Sequence, residues 1–177
     1  MASPIGHALI GIGVASVVVR VMGIPNSSAL WVGSVLASCA PDLDCIAVGV
    51  TSSWRFHRSV THSLLVLSGG ILMAAYVRGL SPDGQDRGVA LAWSAALLSH
   101  PLLDVATTSP AAAAKGFGIP LFWPLLSRRW SLNPPLFQTA ELAECQSVAE
   151  VGKVLSTEML FLAPASLGLV LLARLLR

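Results

Sequence analysis

Residues 88–107 read GVALAWSAALLSHPLLDVAT. The stretch is uncharged as far as Ser99 and has the length, about 20 residues, that a helix needs to cross the hydrocarbon core of a bilayer. Its last third carries His100 and Asp104, four positions apart and so on one helix face. Ionisable groups inside such a segment are costly, which makes them candidates for function rather than decoration. The stretch therefore predicts a membrane helix with chemistry near one end.

The rest of the chain repeats this pattern. Residues 5–24, 28–48, 63–80 and 158–175 are apolar stretches of similar length. Of the 177 residues, 54% are hydrophobic and 11% charged, against about 25% charged in ordinary soluble domains. So few charges cannot cover a water-facing surface. The expected fold is all-α, a multi-pass transmembrane helical bundle of about five spanning helices with an interfacial amphipathic helix, residues 1–177 forming one integral membrane domain. The first stretch lacks a basic leader region, which predicts a retained helix rather than a signal peptide. Breaks at 23–28, 51–54 and 81–88 are short and rich in Gly, Pro, Asn and Ser, so neighbouring helices should run antiparallel.

Small residues recur in these stretches, among them Gly6, Gly11, Gly13, Gly33, Ser34, Ala37, Ala92 and Ala96. They either permit close helix packing in lipid or reflect membrane composition alone. Residues 109–157 differ and are expected to form a membrane-surface insertion. The run 121–126 is too short to span, Arg128, Arg129 and Trp130 suit the interface, and 136–157 intersperses Glu141, Glu144, Glu150 and Lys153 with apolar positions.

Charge and cysteine content exclude other classes. Eleven basic and nine acidic residues give a net charge of +2 without a basic run, so no nucleic-acid partner is expected. Cys39, Cys45 and Cys145 are odd in number and form no Cys-x-x-Cys pair, which argues against a disulfide framework or a cysteine zinc ribbon. Cys39 and Cys45 should pack as small apolar residues.

Alternating helix directions place the polar clusters on one side of the bundle, side A, where the chain begins. His7 lies early in the first stretch, Asp42 and Asp44 late in the second, His57 and His62 ahead of the third, and His100 and Asp104 late in the fourth. Pro41 favours a turn, so Asp42 and Asp44 can point to different sides of a bent backbone. Imidazole with carboxylate suits zinc, manganese or iron better than calcium, and the scarcity of thiolate argues against copper(I) and iron–sulfur clusters. One ion would be held by His62, His100, Asp104 and one of Asp42 or Asp44. A second would use His7, the other aspartate and Asp104 as a bridge. The alternative for His62, His100 and Asp104 is a buried hydrogen-bond network without metal, and for His7 a packing histidine. Arg55 and Arg58 would clamp a phosphate or simply sit at the membrane surface, His57 would face substrate or lie in a loop, and Glu158 is a further candidate ligand.

The ordered set of an early G-H (Gly6, His7), P-D-x-D (Pro41 to Asp44), H-R-x-x-T-H-S (His57 to Ser63) and H-x-x-x-D (His100 to Asp104), followed by the segment 121–129, resembles the YdjM-like family of membrane-bound, metal-dependent hydrolases. That family is distantly similar to the zinc-dependent phospholipase C and single-strand nuclease superfamily. The resemblance implies phosphoester hydrolysis, with His7, Asp42 or Asp44, His62, His100 and Asp104 at the motif positions. With four histidines in the chain, at most two ions are supported.

The expected activity is cleavage of a phosphoester of a lipid or lipid-like substrate at the bilayer surface. Water activated by the ion would be the nucleophile, Asp42 or Asp44 would position or deprotonate it, and Arg58 with Arg128 or Arg129 would neutralise the phosphoryl oxygens. A transporter that carries the ion as cargo would instead spread ionisable groups through the full bundle depth. A structural metal staple would make chelation unfold the bundle. Arg20, Arg78, Arg87, Arg174 and Arg177 on side B place that side in the cytoplasm by the positive-inside rule, so the active face would be extracytoplasmic in the inner membrane.

Overall fold

Ser3 and Pro4 start the first helix in the way local chemistry favours. The Ser3 hydroxyl accepts the free Gly6 N–H, and Pro4 sits where a missing N–H costs nothing. The computed structural model describes residues 2–44, 60–78, 84–137 and 145–176. Among these the chain forms six helices: α1 Pro4–Met22, α2 Ser28–Cys39, α3 Leu64–Arg78, α4 Gly84–Thr107, α5 Pro110–Ala112 and α6 Val148–Leu175. No strand is present among the described residues, only one antiparallel bridge between Ile119 and Trp130. Three helical segments are long and apolar enough to cross a membrane: Pro4–Met22, Arg87–Thr107 and Val148–Leu175.

α1 is the central element and packs against α2, α4 and α6. It ends at Gly23, whose φ of 63° permits the left-handed turn in which Gly23 and Ile24 donate to Arg20 and Val19. The chain then reverses, and Ser27 caps α2 through Leu30 N–H. Gly11 faces Ser38 so closely that a Cβ would lie 2.5 Å from the serine Cβ, and Gly33 admits the Trp93 indole in the same manner. These glycines let helix backbones approach within lipid, where packing rather than hydrophobicity drives association.

α6 runs parallel to α1, since Glu158 meets Ser3, Ser166 bonds Leu9, and Arg20 and Arg174 flank one cleft. α2 and α4, which pack against α1 and each other, run the other way, with Ser38 beside His100, Leu30 beside Trp93, and Cys39 and Asp104 near the start of α1.

Two boundaries differ from the sequence expectation. The stretch 28–48 is α-helical only to Cys39, then tightens into a 3-10 turn, Ala40–Asp44, because Pro41 cannot continue the hydrogen-bond ladder. Residues 148–157, expected in a separate amphipathic helix, belong to the same continuous helix as 158–175. Ser147 caps Glu150 N–H while the Glu150 carboxylate accepts Gln146 N–H at 2.7 Å, which starts α6 there.

Residues 118–137 form a strap across one end of the bundle. Leu64 N–H and the Ser63 hydroxyl donate to the Leu121 carbonyl, Ser63 also reaches the Trp123 carbonyl, and Leu132 and Leu136 N–H donate to Val105 and Ala106. Phe137 then stacks on Phe161 of α6. Cys39 donates its thiol to the Pro4 carbonyl, while Cys45 lies outside the described residues.

Candidate metal centre

The strapped end is where the polar side chains converge. His7 stands one turn into α1, Asp42 in the 3-10 turn after α2, His62 in a second 3-10 turn, Val60–His62, and His100 and Asp104 on successive turns of α4. Apart from Asp42, each of these is all but fully buried.

Four atoms form a compact group. His62 Nε2 and His100 Nε2 are 3.2 Å apart. Asp42 Oδ1 lies 3.5 Å from the first and 3.4 Å from the second. Asp104 Oδ2 lies 3.3 Å from the first and 3.5 Å from the second. A tetrahedron whose vertices sit about 2.0–2.1 Å from a central ion has edges of about 3.3–3.4 Å, the size of a four-coordinate site built of nitrogen and oxygen. All five of these edges match that size, so the donors present fit a small divalent cation. The set Asp42, His62, His100 and Asp104 is thus a group that could hold a metal ion.

The outer nitrogens of both histidines are engaged, which turns Nε2 inward. His100 Nδ1 donates to the Ser38 carbonyl at 2.6 Å. That carbonyl is available because, in the tightened turn, Pro41 has no N–H to give it. His62 Nδ1 faces Asp44 Oδ2 at 3.5 Å and Thr61 Oγ1 at 3.0 Å, and Thr61 itself donates to Asp44 at 2.6 Å. Asp42 and Asp44 therefore straddle the His62 ring, one on each nitrogen.

Electrostatics point the same way. Burial disfavours a charged His62, but the carboxylates of Asp104, Asp42 and Asp44 outweigh it and push the imidazole up to about 10. A pocket of this kind demands positive charge. Moreover, Asp42 Oδ1, both oxygens of Asp104 and both ring nitrogens of His7 are buried without a hydrogen-bond partner among the described residues, an arrangement that is costly without a cation.

His7 stands beside the four. Its ring stacks on His100 with centroids 3.6 Å apart, and its Nε2 lies 3.3 Å from Asp104 Oδ1, the oxygen turned away from His62 and His100. Glu158, in contrast, is fully buried but accepts from Ser3 N–H at 2.5 Å and from the Ser3 hydroxyl, and so ties α6 to the start of α1. Arg129 donates to the Gly118 carbonyl and Arg128 lies over the Trp130 ring, both within the strap. Arg55, His57 and Arg58 lie outside the described residues.

Sequence reasoning missed Ser38, Thr61 and Thr108. Thr61 is adjacent to His62 in the motif itself. Thr108 follows Asp104 by four, continuing the stripe of His100 and Asp104, and its buried hydroxyl has no partner among the described residues.

Fold and site together define a helical membrane protein with a candidate divalent-metal centre of two histidines and two aspartates at one end of the bundle. The family model of the YdjM inner membrane protein matches residues 1–176, and the chain belongs to that family and to the inner membrane. No curated protein and no solved structure matches the chain.

Proposed function

We propose that this protein is a metal-dependent hydrolase that cleaves a phosphoester of a lipid or lipid-like substrate at the bilayer surface. The observation that carries the reading is the compact set of His62 Nε2, His100 Nε2, Asp42 Oδ1 and Asp104 Oδ2 at the end of the bundle, with the two imidazole nitrogens 3.2 Å apart and each 3.3–3.5 Å from both carboxylates. Zinc suits these donors best, with manganese or iron as alternatives. An ion there supplies Lewis acidity and lowers the pKa of water toward about 7.

The chain's own residues do the rest. Ser38, Thr61 and Asp44 hold the two imidazoles in orientation. Asp42, whose side chain is 15% exposed, is the carboxylate closest to solvent and the one suited to accept a proton from the attacking water. Asp104 spans two positions, with Oδ2 toward the tetrahedron and Oδ1 toward His7, which supports a second ion. Arg58 and His57 precede His62 in the same segment and are assigned to the phosphoryl oxygens and the leaving group. Exposed Trp123, Leu125 and Leu126 of the strap suit a membrane interface through which an acyl chain enters. In this reading 28–48 and 63–80 complete five crossings, 109–137 lies on the surface, and the active face is extracytoplasmic.

A structural ion is the second reading, favoured by the four protein donors, which are typical of closed sites. Elemental analysis of detergent-purified protein separates the possibilities when combined with chelation and a screen of phosphoesters. One to two equivalents of metal, removed by chelator with loss of phosphoester cleavage and retention of helix content, is the expected result. Protein that takes up no zinc, manganese or iron overturns the proposal, and chelation that unfolds the bundle favours the structural ion.

A further inference from the structure

The opposite end of the bundle carries a second feature, distant from the metal centre. A cleft of about 710 Å³ opens between the end of α1, the turn into α2 and the end of α6. Arg20 and Arg174 stand on its two sides, with Asn26 and Trp31 at the α2 wall and Ile24 and Val170 among its apolar lining. The parallel course of α1 and α6, which ends both helices at the same level, puts the two arginines on the lining of this one cleft. Neither makes a hydrogen bond or ion pair with another described residue. Two exposed, uncompensated cations beside one cleft repel each other, and an anion between them removes that repulsion.

The surroundings decide what kind of anion. Val21, Met22, Leu171, Leu172 and Leu175 are exposed on the same ends of α1 and α6, from 47% to 80% of their surface. Guanidinium groups set in such an apolar skirt match a ligand with a phosphate at headgroup level and acyl chains running down the helices. Arginine suits the phosphate because its planar fork offers paired donors, and an indole such as Trp31 settles at the same depth.

We propose that the Arg20–Arg174 cleft binds the headgroup of an anionic phospholipid, which clamps α1 and α6 together on the face opposite the metal centre. Native mass spectrometry of the full chain in detergent, titrated with phosphatidylglycerol, phosphatidylcholine or inorganic phosphate, tests this. Phosphatidylglycerol should be retained at one molecule per chain in preference to phosphatidylcholine. R20Q and R174Q should each weaken that retention about tenfold, with helix content unchanged. R20K/R174K, which keeps the charge, should weaken it less than the paired glutamine variant. Equal retention of the two lipids, phosphatidylglycerol retention unaffected by R20Q/R174Q, or binding of inorganic phosphate without lipid would each overturn the proposal.

Discussion

Gly11→Ala tests how the helix packing and the candidate site depend on each other. The added methyl would lie 2.5 Å from Ser38 Cβ and 2.7 Å from Ser38 Oγ, where non-bonded carbons need about 3.5–4.0 Å. α1 and α2 must therefore part by about 1 Å at this level. Ser38 is also the residue whose carbonyl holds His100 Nδ1 at 2.6 Å, and a displacement of about 1 Å carries that contact past the ~3.2 Å limit of a good hydrogen bond. Two effects follow: about 1–3 kcal/mol of overpacking, and about a 10- to 100-fold loss of metal affinity from a freed imidazole. Gly69→Ala is the control, because a methyl there meets nothing within 4 Å while gaining the same helix propensity. Thermal unfolding in detergent and competition against a zinc-chelating dye read the two effects. A Gly11→Ala protein that melts and binds zinc like Gly69→Ala would refute both the close approach and the role of the Ser38 carbonyl.

Further outcomes follow from the same geometry. His100→Ala or Asp104→Asn should weaken metal binding about 100-fold or more, one donor's share of the ~10–16 kcal/mol typical of four-coordinate zinc sites, measured by the same dye competition. Metal affinity should rise with pH, about tenfold per unit between pH 6 and 8, because the metal must displace the proton that His62 retains up to about 10; a flat profile would mean that His62 Nε2 is not a ligand. Glu158→Ala should lower thermal stability by about 2–3 kcal/mol, since it strips the Ser3 N–H and hydroxyl of a charged acceptor. Glu158→Gln, which keeps an acceptor, should cost less.

The helical class and the clustering of polar residues at one end were legible because both follow from long-period features: apolar length, short breaks and alternating direction. The identity of the small residues that matter was not legible. Gly11 and Gly33 are needed where Ser38 and Trp93 cross them, yet Gly69 and Gly152 look the same in sequence and face open space. The start of α6 was written in Ser147 and Glu150, a capping pair overlooked because the apolar window begins later. The orientation of His100 was hidden for a different reason, since its partner is a backbone carbonyl and no side-chain type announces it.

The irregular backbone and the candidate ligands belong to one solution. In lipid an unpaired carbonyl or N–H must find a partner, so departures from regular helix are tolerated only where other polar groups meet them. Asp42 and His62 both sit in 3-10 turns, His100 directly precedes the intrahelical Pro101, and Ser63 and Leu64 hand their donors to the Leu121 carbonyl of the strap. The turn that Pro41 imposes aims Asp42 and Asp44 at opposite nitrogens of one ring and leaves the Ser38 carbonyl to His100. A chain of uninterrupted helices would bury fewer orphaned groups, but it would also leave His62 and His100 without the partners that turn both Nε2 atoms toward one point. The turn that ends α2 within the second apolar stretch is therefore part of the site itself, and replacing Pro41 by alanine would act on metal affinity through His100 even though Pro41 carries no ligand atom.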